Sequence, residues 1–398
     1  MESKVKRTLH TSQWVIAKVK QCFKFRNGKG FSGVLKSFPD EEFCHPVYGG
    51  NGIIGYSDKY LLEEPTIIVG RVGEYCGNVF KTQNKSWVTD NAMMVCDILL
   101  EDYDIDFWVV MLNSLSFNHY SDSTGQPKIT QGGIGAISFK YPSEKEEQTA
   151  IANILSKVDE AIASIQNSIA AAERLKKSLM QNLLTGKMKP DGTFRTSEEF
   201  YIDDKFGKVP VGWHWGRLSE IADIIAGQSP QGEYYNVNGM GKPMLNGPTE
   251  FTDKYPVPVQ WTTKITKLCK KGDILFTVRG SSTGRMNLAD QEYCIGRGLA
   301  AIRPKSNNNI SFIYYTLLKI SEMILAEAKG AGTTFPNVSR GELMKKVILI
   351  PDTHQNEIIA PIEQVASFSN SKQRSIDKLE ILKKSLMQNL LTGRIKIL

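Results

Sequence analysis

The chain has 398 residues, 41% of them hydrophobic and 23% charged, with 49 Lys and Arg against 42 Asp and Glu for a net charge of +7. That length holds two domains with cores of their own, and no run reaches the roughly 18 apolar residues that a membrane span requires. The basic excess permits a polyanionic partner without demanding one.

Residues 1–142 open with Met1-Glu-Ser-Lys-Val-Lys-Arg-Thr8, which carries no apolar signal core, so the expected compartment is cytoplasmic. Short strand-like runs, Thr66-Ile-Ile-Val69 and Met93-Met-Val-Cys96, alternate with turn signals such as Tyr48-Gly-Gly-Asn-Gly52, and a helix is expected near 106–117. Gly28-Lys-Gly-Phe-Ser-Gly33 fits the dinucleotide fingerprint, but no strand-helix-strand unit surrounds it, so it reads as a turn. His45 beside Cys44 reads as a surface or structural pair. The six cysteines (22, 44, 76, 96, 269, 294) include no Cys-x-x-Cys, so free buried thiols are expected rather than structural zinc.

The hydrophobic period then changes. After Pro142, Ser143-x-x-Glu146 is a capping-box signature for a helix over 143–189, and Leu155, Val158, Ile162, Ile165, Ile169, Ala172 and Leu179 follow the steps of three and four of a coiled-coil seam. Gly186 is its expected C-terminal stop. Residues 190–205, with Pro190-Asp-Gly192, read as a linker. Residues 206–351 form a second mixed α/β domain with strands at Asp273–Val278 and Leu299–Ile302 and a helix near 311–328. Residues 352–398 hold a second long helix, opened by Asp352-x-x-Gln355, with a seam of Ile362, Val365, Ile376, Leu379, Leu382, Leu386 and Leu390, polar around Ser369 and Lys372, and stopped at Gly393.

The two halves are copies. Leu-Lys-Lys-Ser-Leu-Met-Gln-Asn-Leu-Leu-Thr-Gly stands unchanged at 175–186 and 382–393, an offset of 207, and punctuation recurs in order: Trp14 with Trp213, Gly28 with Gly227, Gly73 and Gly77 with Gly280 and Gly284, Pro127 with Pro336, Pro142 with Pro351. A period of half the chain means a duplicated domain plus helix. The expected fold is therefore α+β, two homologous mixed α/β domains joined by two long helices in an antiparallel coiled coil with a pseudo-twofold repeat. A helix of some 40 residues rises about 60 Å, against about 34 Å for a turn of B-DNA.

Enzyme chemistry finds little footing. The sequence has no Gly-x-x-x-x-Gly-Lys-Ser/Thr loop and no Asn-Pro or Asp-Pro dipeptide of an adenine-N6 methyltransferase, and the histidines are scattered (10, 45, 119, 214, 354). Nucleic-acid recognition fits better: glycine-rich loops bring backbone close to phosphates, and adjacent Arg, Lys, Ser, Thr and Asn supply donors. Arg279, Ser281, Ser282, Thr283 and Arg285, with Arg297, form the richest such segment; Gly70–Gly77 with Arg71 is its counterpart, and Gly50, Asn51 and Lys128 complete the candidates.

Pro46-Val-Tyr-Gly-Gly-Asn-Gly52, Val211-Gly-Trp-His-Trp215, Gly298-Leu-Ala-Ala-Ile-Arg303 and the duplicated twelve-residue signature together resemble a type I restriction-modification specificity subunit over nearly the whole chain. The resemblance implies target-recognition domains at 1–142 and 206–351, each reading half of a bipartite asymmetric site on double-stranded DNA, with the coiled coil setting the spacer. It implies no catalysis and no cofactor in this chain: two methyltransferase subunits would use S-adenosylmethionine and two translocase-endonuclease subunits ATP and Mg²⁺. Residues added around 183–190 should then lengthen the gap between half-sites. A stand-alone nuclease or methyltransferase, or a coiled-coil scaffold binding only protein, are the competing classes.

Overall fold

A computed structural model describes residues 13–121, 127–305, 307–330 and 336–397; the signal-core test on residues 1–8 concerns residues outside these. The chain divides into two compact units, residues 1–166 with 373–398, and residues 167–372.

In the first unit, the strand Trp14–Lys18 pairs antiparallel with Ser138–Pro142, Trp14 opposite Pro142. A four-stranded sheet runs in the order Phe23–Asn27, Ala92–Ile98, Ile67–Gly70, Val79–Lys81, and a three-stranded sheet sets His45–Gly49 between Gly52–Ser57 and Trp87–Val88. The second unit repeats the plan. Trp213–Arg217 pairs with Val347–Pro351, Trp213 opposite Pro351, and a four-stranded sheet runs Ala222–Ala226, Leu299–Pro304, Ile274–Thr277, Met286–Leu288. Its smaller sheet sets Lys242–Leu245 parallel to Cys294–Ile295, as His45–Gly49 lies parallel to Trp87–Val88. The expected helices run Ile105–Ser114 and Ile310–Gly330.

The cores follow from these layers. Strands Ile67–Gly70 and Ile274–Thr277 are buried along their whole length, the signature of a strand covered on both faces. In the first unit Trp108 packs edge-on against Phe23 and Phe139, at 4.9 and 5.7 Å between ring centroids. Four thiols (Cys22, Cys76, Cys269, Cys294) are buried as expected, whereas Cys44 and Cys96 are exposed. Burial pushes Cys22 up to about 11 and Cys269 up to about 12.

The two long helices run Lys145–Leu183 and Gln355–Leu390. In the first unit Ile151, Ala152 and Leu155 join one core with Leu386, Leu390 and Leu391, and Lys383 Nζ meets Asp159 Oδ1 at 2.6 Å. In the second, Leu179, Met180, Leu183 and Leu184 join one core with Ile358, Ile359 and Ile362. The start of each helix thus meets the end of the other, an antiparallel coiled coil. Along the seam Leu155 is fully buried and Val158, Ile162, Ile165, Ile169 and Leu179 are half-buried; Ile376 and Leu390 are buried, Leu379 and Leu386 half-buried. Leu382 departs from the expected seam: it is 47% exposed, as its copy Leu175 is at 51%.

The expected capping boxes give way to a different device. Each helix starts two or three residues beyond the proposed cap, because Ser143 Oγ donates to the Gln13 carbonyl at 2.9 Å and Asp352 Oδ1 lies 2.7 Å from His214 Nδ1. A glutamine in the first turn then anchors each helix: Gln148 Oε1 accepts from Asp104 N at 2.9 Å, and Gln355 Oε1 from Asn309 N at 2.7 Å. Asp104 and Asn309 each open the helix that packs beside the sheet.

The far ends obey one rule. Gly186 and Gly393 take φ of +62° and +69°, the left-handed stop expected of them. A Cβ there would fall 3.2 Å from Trp213 Cε2 and 2.9 Å from Trp14 Cδ2 respectively. Each helix therefore ends against the first strand of the other copy. The stretch expected as a linker is built of a turn closed by Lys189 N to Thr193 O at 2.8 Å and a strand, Phe200–Asp203, paired with Gly207–Pro210.

Candidate nucleic-acid interface

One loop cluster recurs in both units at the same edge of the four-stranded sheet. Gly28 N donates to Ala92 O and Lys29 N to Val88 O, both at 2.9 Å; in the second unit Gly227 N donates to Leu299 O at 2.9 Å and Gln228 N to Ile295 O at 2.8 Å. A Cβ on Gly28 would sit 2.0 Å from Thr89 O, and on Gly227 2.1 Å from Gly296 O, so glycine is demanded by close approach of two backbones. Gly28–Gly33 runs as an irregular segment with a bend at Gly33 and opens no helix, so it is neither a dinucleotide loop nor the turn expected.

The loops after Ile67–Gly70 and Ile274–Thr277 correspond bond for bond. Arg71 N donates to Asn91 O at 3.0 Å where Val278 N donates to Gly298 O at 2.9 Å; Gly73 N donates to Pro127 O where Gly280 N donates to Pro336 O. Val72 bridges Lys128, and Arg279 bridges Asn337. This register agrees with the pairing of Gly73 with Gly280 in the sequence. The loops are equivalent but their arginines are not: Arg71 aligns with Val278, and Arg279 with Val72.

In the first unit the cluster gathers Gly50, Asn51, Arg71 and Lys128. The Gly50 carbonyl lies so close to Gly70 that a Cβ there would meet it at 2.1 Å. Asn51 Oδ1 accepts from Asn78 Nδ2 at 3.2 Å, and Arg71 Nη1 donates to Asp90 O at 3.2 Å. Lys128 is exposed beside Val72.

In the second unit Arg279 and Arg297 line one open cleft of about 780 Å³ with Gln228, Ser229, Tyr235, Asn246 and Gln260. Arg279 Nε donates to Asn337 Oδ1 at 3.1 Å, and Arg297 N donates to Ser229 Oγ at 3.1 Å. Amides and guanidinia in one groove are the donors and acceptors that base edges and phosphates engage. Thr283 does not belong with them: it is buried, and its hydroxyl donates to Gly280 O at 2.7 Å. Arg285 reaches the Phe251 carbonyl at 3.1 Å and lies outside the cleft lining, as do Ser281 and Ser282.

Gln228, Ser229, Tyr235, Asn246, Gln260 and Asn337 escaped the sequence reading. Gln228 and Ser229, after the matched Gly227, and Asn337, after the matched Pro336, carried a local signal; Tyr235, Asn246 and Gln260 come from separate strands and loops that the second sheet brings together. Among the described residues no group of three His, Cys, Asp or Glu could hold a metal ion, and no helix is long and apolar enough to cross a membrane. His45 stands edge-on to Tyr60 with ring centroids 4.9 Å apart and Cys44 Sγ 3.7 Å from its Nδ1.

Comparison with known proteins places this geometry. A protein of Methanocaldococcus jannaschii, provisionally named the type I restriction enzyme MjaX specificity subunit, is 34% identical over 279 residues, 69% of this chain and 63% of that protein. The type I restriction enzyme EcoprrI specificity subunit of Escherichia coli is 32% identical over 143 residues, 36% of this chain and 34% of that protein. The alignments thus span less than two thirds of either relative. The fold matches the crystal structure of a type I restriction-modification system S subunit from M. genitalium, with a TM-score of 0.65 at 16% identity over 97% of this chain and 98% of that one. The family profile described as type I restriction modification DNA specificity domain matches residues 11–174 and again 210–380. The chain therefore belongs to the type I restriction-modification DNA specificity domain family and carries that domain twice.

Proposed function

We propose that the chain is the DNA-reading component of a type I restriction-modification complex, with domain 1–142 reading one half of a bipartite asymmetric site and domain 206–351 the other. The observation that carries this is the loop cluster: its backbone hydrogen bonds recur in both copies while its side chains differ, Arg71, Asn51 and Lys128 in one, Arg279, Arg297, Asn246 and Gln260 in the other. A common frame with different donors is what two unlike half-sites require.

The coiled coil acts as the spacer between two homologous reading heads. Methylation and cleavage belong to partners: two methyltransferase subunits using S-adenosylmethionine, and two translocase-endonuclease subunits using ATP and Mg²⁺, all in the cytoplasm. The outward-facing twins Leu175 and Leu382, set in identical sequence, support two copies of one partner.

The test is duplex binding by Arg279→Ala and Arg297→Ala across a salt titration, with the methylated motif mapped in cells. Loss of about 1–3 kcal/mol and relaxed sequence choice in one half-site is expected where the arginine meets a base, and a shallower salt slope where it meets phosphate. Binding unchanged at every salt concentration removes the cleft from the interface. Turnover of DNA by the isolated chain with Mg²⁺ and S-adenosylmethionine would refute the division of labour.

A further inference from the structure

The second unit has another cavity, of about 530 Å³, walled by Leu184, Phe200, Trp215, Ile320 and Leu349. That is the size of a small-molecule site. Its rim carries Lys187, Arg195, Lys208 and Lys319, and no carboxylate lines it. Among the described residues Lys187, Lys208 and Lys319 enter no ion pair. Surrounding protein, followed by the charge of Lys187, lowers the pKa of Lys319, although its side chain reaches the surface. Arg195 is held by the Gly186 carbonyl and has Glu199 as a counter-charge, whereas the three lysines repel one another, a cost that an anion would relieve.

Two polar groups in the wall also lack partners. Thr316 is 6% exposed and its Oγ has no hydrogen-bond partner; Trp215 Nε1, equally shielded from solvent, has none either. Both residues line this cavity, but these two atoms are themselves closed to solvent, so what a ligand would meet there is the apolar wall and the ammonium groups. From these observations we propose that the cavity binds a small organic anion, with an apolar body against Trp215, Phe200 and Ile320, and a phosphate or carboxylate head held by the Lys187, Lys208 and Lys319 ammonium groups.

The site is absent from the first copy. Strand and helix registers put Ile16 where Trp215 stands, Met111 where Thr316 stands and Ser114 where Lys319 stands. Lys187 and Lys208 come from the stretch joining the two copies. The cavity is therefore no part of the duplicated reading apparatus, and it shares no lining residue with the Arg279 cleft.

The experiment uses the full chain with 8-anilinonaphthalene-1-sulfonate as fluorescent probe, displaced by phenyl phosphate or by neutral benzyl alcohol. One saturable site per chain is expected, with phenyl phosphate displacing the probe about tenfold or more better than benzyl alcohol. Lys319→Met should weaken phenyl phosphate severalfold while Lys319→Arg retains it and Thr316→Val, whose oxygen the ligand does not reach, leaves it unchanged. All three variants should keep the wild-type melting temperature, which separates loss of the site from loss of the fold. Equal displacement by the neutral alcohol, or affinity untouched by Lys319→Met, would overturn the proposal. So would displacement by non-specific duplex DNA, which would make the cavity part of the nucleic-acid surface.

Discussion

Arg303 and Asp273 show how far a single pair can matter. The guanidinium meets the carboxylate through Nε at 2.8 Å and Nη2 at 2.7 Å, and Asp273 is 2% exposed, so its charge has little water to fall back on. The hydrogen bond to Asp273 raises the Arg303 pKa further. Arg303→Met leaves a shielded carboxylate without its partner, and chemical denaturation should register a loss of about 2 kcal/mol, below the full cost of a buried pair because Arg303 itself is partly solvated. An unchanged midpoint would mean that water replaces the guanidinium. At this scale the sequence was legible where backbone geometry dictates the residue. Gly28 and Gly227 could be paired by eye because nothing else fits against Thr89 and Gly296. It was illegible where side chains are free to vary: the matched loops carry Arg71 in one copy and Arg279 in the other, one position apart, and nothing in the pattern of glycines says which of them faces a ligand. Thr283 was misread for a related reason, since a hydroxyl in a glycine-rich loop serves the loop itself as readily as a ligand.

Among the elements, the long helices show why an identical segment survives in diverged copies. Their last turns make the same bonds twice, Thr185 Oγ1 to Gln181 O and Thr392 Oγ1 to Gln388 O, both at 2.6 Å, before Gly186 and Gly393 turn onto a tryptophan. Their first turns depend on Gln148, which sequence inspection passed over, and on Gln355, which it read as the second member of a capping box. Both glutamines tie the long helix to the start of the neighbouring helix and so act on tertiary contacts that no local pattern encodes. Gln355→Ala strips the Asn309 amide of its acceptor and Asn308 Oδ1 of its donor, and should cost about 1–3 kcal/mol in the second unit. Hydrogen exchange should report it as faster opening of Ile310–Gly330; exchange at the wild-type rate would show that the contact is redundant. The coiled-coil seam itself was largely legible, because steps of three and four leave few alternatives. Leu382 failed because a leucine in the right step still faces outward when its turn lies off the stripe.

For the molecule as a whole, spacing is the property that the proposed function tests. Residues 183–190, the natural place for an insertion by sequence, turn out to hold Leu183 and Leu184 in the core of the second unit, so a change there would damage packing before it changed any distance. A better site lies where the two units part, one heptad after Gln166 matched by one after Lys372, which keeps the seam in register. Seven residues add about 10.5 Å, or roughly three base pairs of B-DNA. Methylome sequencing should find both half-sites unaltered and their gap longer by that amount; an unchanged gap would sink the spacer role. The duplication and the coiled coil could be read from the chain directly, whereas the composition of the amide-rich cleft could not, since Tyr235, Asn246 and Gln260 converge only through the smaller sheet. The contact of Gly393 with Trp14 has a last consequence: the end of the second long helix is seated on the first strand, as the end of the first is seated on Trp213, so a tether could join the two. A circular permutant opened at Asp191, with Ile397 tethered back to Gln13, should fold and mark the same DNA motif as the parent, and the gene order of the two copies would then be an accident of where the reading frame was cut.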